Sequence, residues 1–135
     1  MLKILSLKGY KDNKYIQQII NLESLLFDSS FKQIYRIDSE IYYQIAMLDN
    51  QVVGYLTYKD NKEGYDIIQI GVVPNYQRQG IATKLMDKIN DKPIVLEVNA
   101  NNTKAVNFYY KLGFKKVVDL PNYYKNDDGI RMIKQ

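Results

Sequence analysis

The chain has 135 residues, of which 46% are apolar and 25% charged, and its formal net charge is +4. This length and balance predict one folded domain over residues 1–135 and exclude a disordered chain. Cysteine and histidine are both absent, which excludes disulfides, thiol nucleophiles, thiolate metal sites and a histidine base, so acid–base chemistry would fall to Asp, Glu, Tyr or Lys.

The first forty residues combine one strand pattern with helical patterns. Residues 4–7 predict a short strand, and the N-terminal segment is too short and too polar for a signal peptide, which indicates a cytoplasmic protein. Apolar residues at helical spacing predict a helix over residues 13–26, and Ser29 or Ser30 can cap a second short helix over residues 31–37. No run approaches the ~18 apolar residues of a membrane span, so no membrane contact is expected.

An antiparallel meander is predicted next. Residues 42–48 and 51–58 are typical of strands, and the Asp49-Asn50 pair between them is typical of a hairpin turn. Residues 59–64 predict a second polar turn, which leads into an apolar strand over residues 67–73.

That apolar strand passes directly into a helix through a glycine-containing loop. Pro74 and Asn75 mark the turn, and a helix opening near Gly80 has one apolar face, formed by Ile81, Ala82, Leu85, Met86 and Ile89. The unpaired N–H groups of such a loop, together with the helix dipole, suit an anion such as a pyrophosphate. By geometry alone, an ordinary strand–turn–helix corner is equally compatible with the pattern.

A further strand and helix follow the central helix. Residues 94–98 are apolar almost throughout, which predicts a strand buried on both faces. Asn101, Asn102 and Thr103 offer capping side chains for the next helix, and Gly113 is typical of the residue that ends one.

Two terminal strands complete an α/β domain with a mixed sheet. They are predicted over residues 114–118 and 130–133, around a polar loop. The basic residues are scattered singly, and neither a basic helix nor an RNA-binding aromatic stripe is present, so no direct nucleic-acid binding is expected.

Two motifs in the second half resemble the GNAT superfamily of N-acetyltransferases. Gln77-x-x-Gly80-x-Ala82, preceded by Val-Val-Pro, resembles the acetyl-coenzyme A (acetyl-CoA) signature of that family. The segment from Leu96 through Asn102, Ala105 and Tyr109 to Leu112-Gly113-Phe114 resembles its next motif. Leu-Glu-Val at residues 96–98, together with Asn122-Tyr123-Tyr124 and Asp128-Gly129, is similar to the RimI-type branch, which acetylates the N-terminal alanine of a small-subunit ribosomal protein.

The resemblance implies a fold and an activity. The fold would be α/β, with a mixed, mostly antiparallel central sheet of about six to seven strands, splayed at the middle, and about four helices. The activity would be acetyl-CoA-dependent N-acetylation of the N-terminal α-amine of a protein, with acetyl-CoA as co-substrate and no metal. The acceptor would be the N-terminal segment of a ribosomal protein beginning with alanine, and the enzyme would be a monomer.

The resemblance also assigns roles to residues. Glu97 matches the proposed base and Tyr109 the acid that protonates the departing thiolate. Tyr123 and Tyr124 would wall the peptide groove, in a flexible loop that closes over the N-terminal residue. The positions that match cofactor-binding residues are Ile70, Gly71, Val72, Arg78, Gln79, Gly80, Ile81, Ala82, Thr83 and Asn102.

The residues themselves leave alternatives open at both catalytic positions. Strand alternation puts Glu97 on the face of Val95, where a carboxylate needs partners or a task, although it can instead point to water at a splayed sheet end. Tyr109 lies on the apolar face of its helix, and the sequence pattern alone favours a core tyrosine there.

The choice of acceptor follows from amine pKa values. A peptide α-amine has a pKa of about 7.7–8.0, against about 10.4 for lysine, so a single carboxylate can manage the α-amine more easily. The alternatives are a small amine such as a polyamine or aminoglycoside, and a non-catalytic acyl-CoA sensor. The segments expected on the substrate side are mixed rather than acidic, which favours a peptide over a small cation.

Overall fold

A computed structural model describes residues 1–9, 14–26 and 40–135. One seven-stranded sheet has the order β1-β2-β3-β4-β5-β7-β6, and its neighbours are antiparallel except for β4 and β5. The strands are β1 (Lys3–Lys8), β2 (Ile41–Leu48), β3 (Gln51–Asn61), β4 (Gly64–Val72), β5 (Ile94–Asn99), β6 (Lys115–Leu120) and β7 (Gly129–Lys134). The helices of the described ranges are α1 (Lys14–Leu26), α2 (Ile81–Met86) and α3 (Thr103–Lys111).

The predicted mixed, mostly antiparallel sheet is confirmed. The short helix predicted over residues 31–37, with its cap at Ser29 or Ser30, lies outside the described residues. Within residues 1–9, 14–26 and 40–135, every helix is too short or too polar to cross a membrane.

The hairpin between β2 and β3 forms at the predicted pair. Asp49 and Asn50 have φ values of 50° and 69°, the left-handed conformation that a two-residue hairpin turn requires and that Asp and Asn adopt at low cost. The next turn is shorter than the predicted one over residues 59–64, because the ladder between β3 and β4 continues to the pair Asn61↔Gly64. Its polar side chains lie in strands at the exposed end of the sheet, where water solvates them.

The sheet has a hydrophobic core on each face. On one face, Ile16 and Ile19 of α1 pack against Tyr43 and Tyr55 of the meander, and all four are buried. On the other face, α2 and α3 cover the sheet around a cluster that includes Leu85. Burial of apolar surface contributes about 25 cal/mol per Å² removed from water, and this burial on both faces holds the helices to the sheet.

A β-bulge shapes the centre of the sheet. Thr57 pairs with Gln69 but Tyr58 pairs with Ile67, which leaves Ile68 as an extra residue in β4 and increases the local twist. β4 pairs with β5 only at Tyr65↔Ile94 and Asp66↔Val95. Beyond these pairs the two strands diverge, as the predicted splayed sheet requires.

The prediction that β5 is buried on both faces is wrong. Ile94, Leu96 and Val98 are buried under α2 and α3, whereas Val95 and Glu97 are only half-buried. The second face is open because it forms the floor of a pocket beside the diverging strands. Glu97 therefore lies on a face that water and small ligands can reach.

Candidate active site

The divergence of β4 from β5 opens a cleft of about 1100 Å³ between β4, α2 and α3. Nine of the ten predicted cofactor residues line it, whereas the side chain of Gln79 instead donates to the carbonyl of Asn75 at 3.3 Å. The lining residues are Leu26, Ile70, Gly71, Val72, Tyr76, Gln77, Arg78, Gly80, Ile81, Ala82, Thr83, Asn102, Lys104, Ala105, Asn107, Phe108, Tyr109, Lys111 and Leu112.

The loop from β4 to α2 is held in an unusual backbone conformation. Gln77 closes it by donating its side-chain Nε2 to the carbonyl of Val72 at 2.9 Å. Gly80 and Arg78 both have left-handed backbones, with φ values of 80° and 64°. For a non-glycine residue such as Arg78 this conformation costs on the order of 1 kcal/mol. The residues at the start of α2 line the cleft, and the first N–H groups of a helix have no partner within it. Turns with left-handed residues of this kind are typical of backbone nests that bind anions.

Helix α3 adds a basic face that the sequence analysis missed. Lys104 and Lys111 line the cleft one above the other, with Phe108 between them, and Arg78 lines it from the facing loop. The cleft therefore carries positive charge along its wall. The spacing of the lysines could have predicted this face. Lys104 and Lys111 are seven residues apart in the sequence, which places them on one side of a helix, and they flank the apolar stripe that begins at Ala105.

Asn102 has a structural partner as well as a place in the cleft. Its Oδ1 accepts the N–H of Ala105 at 3.1 Å and caps α3, as the sequence predicted. The cap uses the amide oxygen as acceptor, so the side-chain NH₂ group is the part of Asn102 that could donate to a ligand.

A second pocket, of about 490 Å³, lies on the other face of β5. Glu97 lines it and accepts a hydrogen bond from Nε of Arg131 at 3.0 Å. Arg131 stands directly opposite Glu97 in the ladder between β5 and β7, and the carboxylate raises the pKa of its guanidinium above the usual range. The remaining lining residues are Asp66, Ile67, Ile68, Val95, Tyr123 and Tyr124.

Tyr123 and Tyr124 belong to the connection between β6 and β7, here called the tyrosine loop (residues 121–128). Their rings contact each other edge to face and lie against the backbone of Gly129, where an added Cβ would be 3.0 Å from Cε2 of Tyr124. Tyr124 interacts electrostatically with Glu97 in the second pocket and with Tyr109 in the first. It therefore interacts with the candidate catalytic residue of each pocket.

Tyr109 packs edge to face against Phe114 and lines the first cleft. It is thus a partly buried core residue that also faces the cleft, a position compatible with both interpretations. Burial, with a smaller contribution from Tyr124, raises its pKa to about 12. The hydroxyl keeps its proton at neutral pH and can donate it.

We expect Tyr109 to make folding more sensitive to alkali. Its pKa is near 10.0 in the unfolded chain and about 12 in the folded protein. Its contribution to the free energy of unfolding is therefore complete below pH 10 and is lost as the pH rises towards 12. Two pKa units correspond to at most about 2.7 kcal/mol. Urea unfolding of wild type and Tyr109→Phe between pH 9 and 11.5 checks this, since the wild type should lose more stability. Equal losses would contradict it.

Comparison with known proteins gives a family match over most of the chain. The model of the Acetyltransferase (GNAT) family matches residues 13–114, a range that includes the cleft loop, Glu97 and Tyr109.

Individual relatives agree with that match. The N-alpha-acetyltransferase of Sulfurisphaera tokodaii is 28% identical over 138 residues, covering 84% of this chain and 82% of that protein. The [Ribosomal protein bS18]-alanine N-acetyltransferase of Escherichia coli strain K12 is 36% identical over 70 residues, covering 47% of each chain. The structure of Arabidopsis thaliana Naa50 in complex with the bisubstrate analogue CoA-Ac-MVNAL is similar with a TM-score of 0.76 and 25% identity, over 99% of this chain and 98% of that one.

Proposed function

Since the chain belongs to the Acetyltransferase (GNAT) family and is an acetyl-CoA-dependent acetyltransferase, we propose that it acetylates the N-terminal α-amine of a protein. One observation carries this proposal. The strands β4 and β5 diverge between two pockets, with a carboxylate in one pocket and a protonated tyrosine hydroxyl in the other.

The first cleft suits acetyl-CoA. Its basic residues Arg78, Lys104 and Lys111 complement the charge of a phosphate-bearing ligand. An added Cβ at Gly80 would meet no protein atom within 4 Å, so the backbone there is open to a ligand. Ile70 and Val72 lie in the part of β4 beyond its two pairs with β5, and this free side of the strand can pair with an extended pantetheine arm.

The two pockets support a catalytic role for each candidate residue. Acetyl-CoA, when bound, supplies the thioester whose carbonyl carbon the amine attacks. Glu97 takes the proton that the amine loses as the C–N bond forms, directly or through water. Tyr109 gives its proton to the sulfur as the C–S bond breaks, and a backbone amide of the β4 segment 70–72 polarises the carbonyl.

The second pocket suits the end of a peptide. Its walls combine the apolar side chains Ile67, Ile68 and Val95 with the rings of Tyr123 and Tyr124. The relative from Sulfurisphaera tokodaii is an N-alpha-acetyltransferase, and Naa50 was solved with a bisubstrate analogue that contains MVNAL. Both support a peptide α-amine as the acceptor.

A more specific acceptor is a small-subunit ribosomal protein that begins with alanine. The Leu-Glu-Val motif of β5, the Asn122-Tyr123-Tyr124 motif and the match to the bS18-alanine N-acetyltransferase of E. coli support this part of the proposal.

The test compares acceptors under identical conditions. We expect a peptide that begins with a free alanine to be acetylated at least tenfold faster than the same peptide with a blocked N-terminus and an internal lysine, because at pH 7 the α-amine is neutral in roughly a tenth of molecules and a lysine in fewer than one in a thousand. Spermidine provides a small-amine arm, and intact-mass spectrometry of ribosomal proteins identifies the natural acceptor. Equal rates for the free and the blocked peptide would refute the α-amine proposal.

A further inference from the structure

A single carboxylate ties the tyrosine loop to the end of β5. Oδ2 of Asp127 accepts Nδ2 of Asn99 at 2.9 Å, and Oδ1 of Asp127 accepts Nδ2 of Asn101 at 2.5 Å. These two hydrogen bonds hold the pKa of Asp127 below its usual value. Asn99 is the last residue of β5 and Asn101 lies in the connection from β5 to α3, 28 and 26 positions from Asp127 in the sequence, so Asp127 joins two separate parts of the chain.

The tyrosine loop is further ordered around this tether. Asp128 accepts the N–H of Asn122 on its Oδ1 at 2.8 Å, and its carbonyl accepts the N–H of Ala100 at 2.9 Å. The N–H of Tyr124 donates to the carbonyl of Asp127 at 2.9 Å. Tyr124 is thus fixed to the residue that makes the tether, and its ring is held over the second pocket.

The two asparagines that donate to Asp127 lie beside residues of both pockets. Glu97 lies two residues before Asn99 on β5, and Asn102, which caps α3 and lines the first cleft, directly follows Asn101. The loop expected from the sequence to be flexible and to close on the substrate is therefore held by side-chain hydrogen bonds in the protein alone.

We propose that Asp127 is a positioning residue, which holds the tyrosine loop over the second pocket so that acceptor binding does not have to order it. This inference rests on the proposed function only in taking the second pocket as the acceptor site. Since a loop that is already ordered loses less conformational entropy on binding, Asp127 acts on the affinity for the acceptor rather than for the cofactor.

The test compares Asp127→Ala with Asp119→Ala. Asp119 lies on β6, and its carboxylate pairs at the surface with Lys116 at 3.0 Å, so it is a matched aspartate outside the loop. We expect Asp127→Ala to raise KM for the peptide by about tenfold, the effect of about 1.4 kcal/mol, with kcat and the Kd for CoA changed by less than about twofold. Asp127→Asn keeps one acceptor oxygen and should restore part of the affinity.

Trypsin provides a readout that does not need activity. Lys125 lies in the tyrosine loop, and cleavage after it requires the loop to open locally. We expect faster cleavage there in Asp127→Ala than in wild type or Asp119→Ala. An unchanged peptide KM in an active Asp127→Ala enzyme would overturn the inference, as would an equal loss of CoA affinity. If the wild type acetylates no α-amine, the proposed function fails, and the cleavage rate alone then decides: faster cleavage supports the tether, and an equal rate overturns it.

Discussion

Replacing Glu97 with glutamine should lower kcat by about 10²–10⁴-fold, the usual effect of removing a general base. Glutamine has nearly the same shape and keeps an oxygen that can accept the hydrogen bond from Nε of Arg131, so the fold should be retained. The Kd for CoA should hardly change, because Glu97 lies in the second pocket, whereas nine of the ten residues predicted to bind the cofactor line the first. Steady-state kinetics and calorimetry measure the two quantities.

Glu63→Gln is the matched control for the loss of charge. Glu63 is exposed in the short turn between β3 and β4, and its replacement should leave kcat and KM unchanged. If Glu97→Gln also turns over at the wild-type rate, Glu97 is not the base, and catalysis would depend on positioning and on the polarised carbonyl.

Replacing Gly80 with valine should weaken CoA binding by more than tenfold while leaving a folded protein. The added side chain meets no protein atom within 4 Å of its Cβ, but the φ of 80° is one that a β-branched residue rarely adopts. Forcing it costs about 1–2 kcal/mol, and relaxing it would turn the loop N–H groups away from the cleft. Where the backbone does not relax, the valine itself occupies space that the phosphates need.

Gly113→Val is the control that distinguishes a loss of CoA binding at the loop from the general cost of placing valine at a positive φ. Gly113 follows α3 with a φ of 100°, and its added Cβ would meet only the flexible side chain of Lys134, at 3.4 Å or more. Both variants should therefore lose similar thermal stability, whereas only Gly80→Val should lose CoA affinity in calorimetry. Undiminished affinity in Gly80→Val would remove this loop from the cofactor site.

Turns, helix caps and helix ends could be predicted from the sequence because each depends on only a few neighbouring residues. The Asp49-Asn50 turn, the cap at Asn102 and the helix end at Gly113 all form where their side chains and backbone preferences place them. The conformation of the loop from β4 to α2 belongs to this class, since one short motif contains both of its residues with positive φ, Arg78 and Gly80.

Contacts that depend on strand register were not predictable. Arg131 meets Glu97 only because β7 pairs with β5 in one particular register, 34 positions apart along the chain. The bulge at Ile68 in β4 likewise cannot be recognised in the sequence, because Ile68 lies in an apolar run, yet it bends the strand where the cleft opens. The basic face of Lys104 and Lys111 has a helical period, but exposed lysines are common on any surface helix.

The divergence of β4 from β5 also bears on self-association. A free strand edge invites pairing with another molecule, and the outer strands carry lysines that discourage it, Lys3 and Lys8 on β1 and Lys115 and Lys116 on β6. The apolar segment of β4 from Ile67 to Val72 has neither lysine nor proline, although it pairs with no strand on its β5 side. Its protection is positional, because it lies in the middle of the sheet, inside the cleft between α2 and α3, and not at an outer edge. Partial unfolding that removes β5 would therefore expose an unguarded aggregation-prone edge.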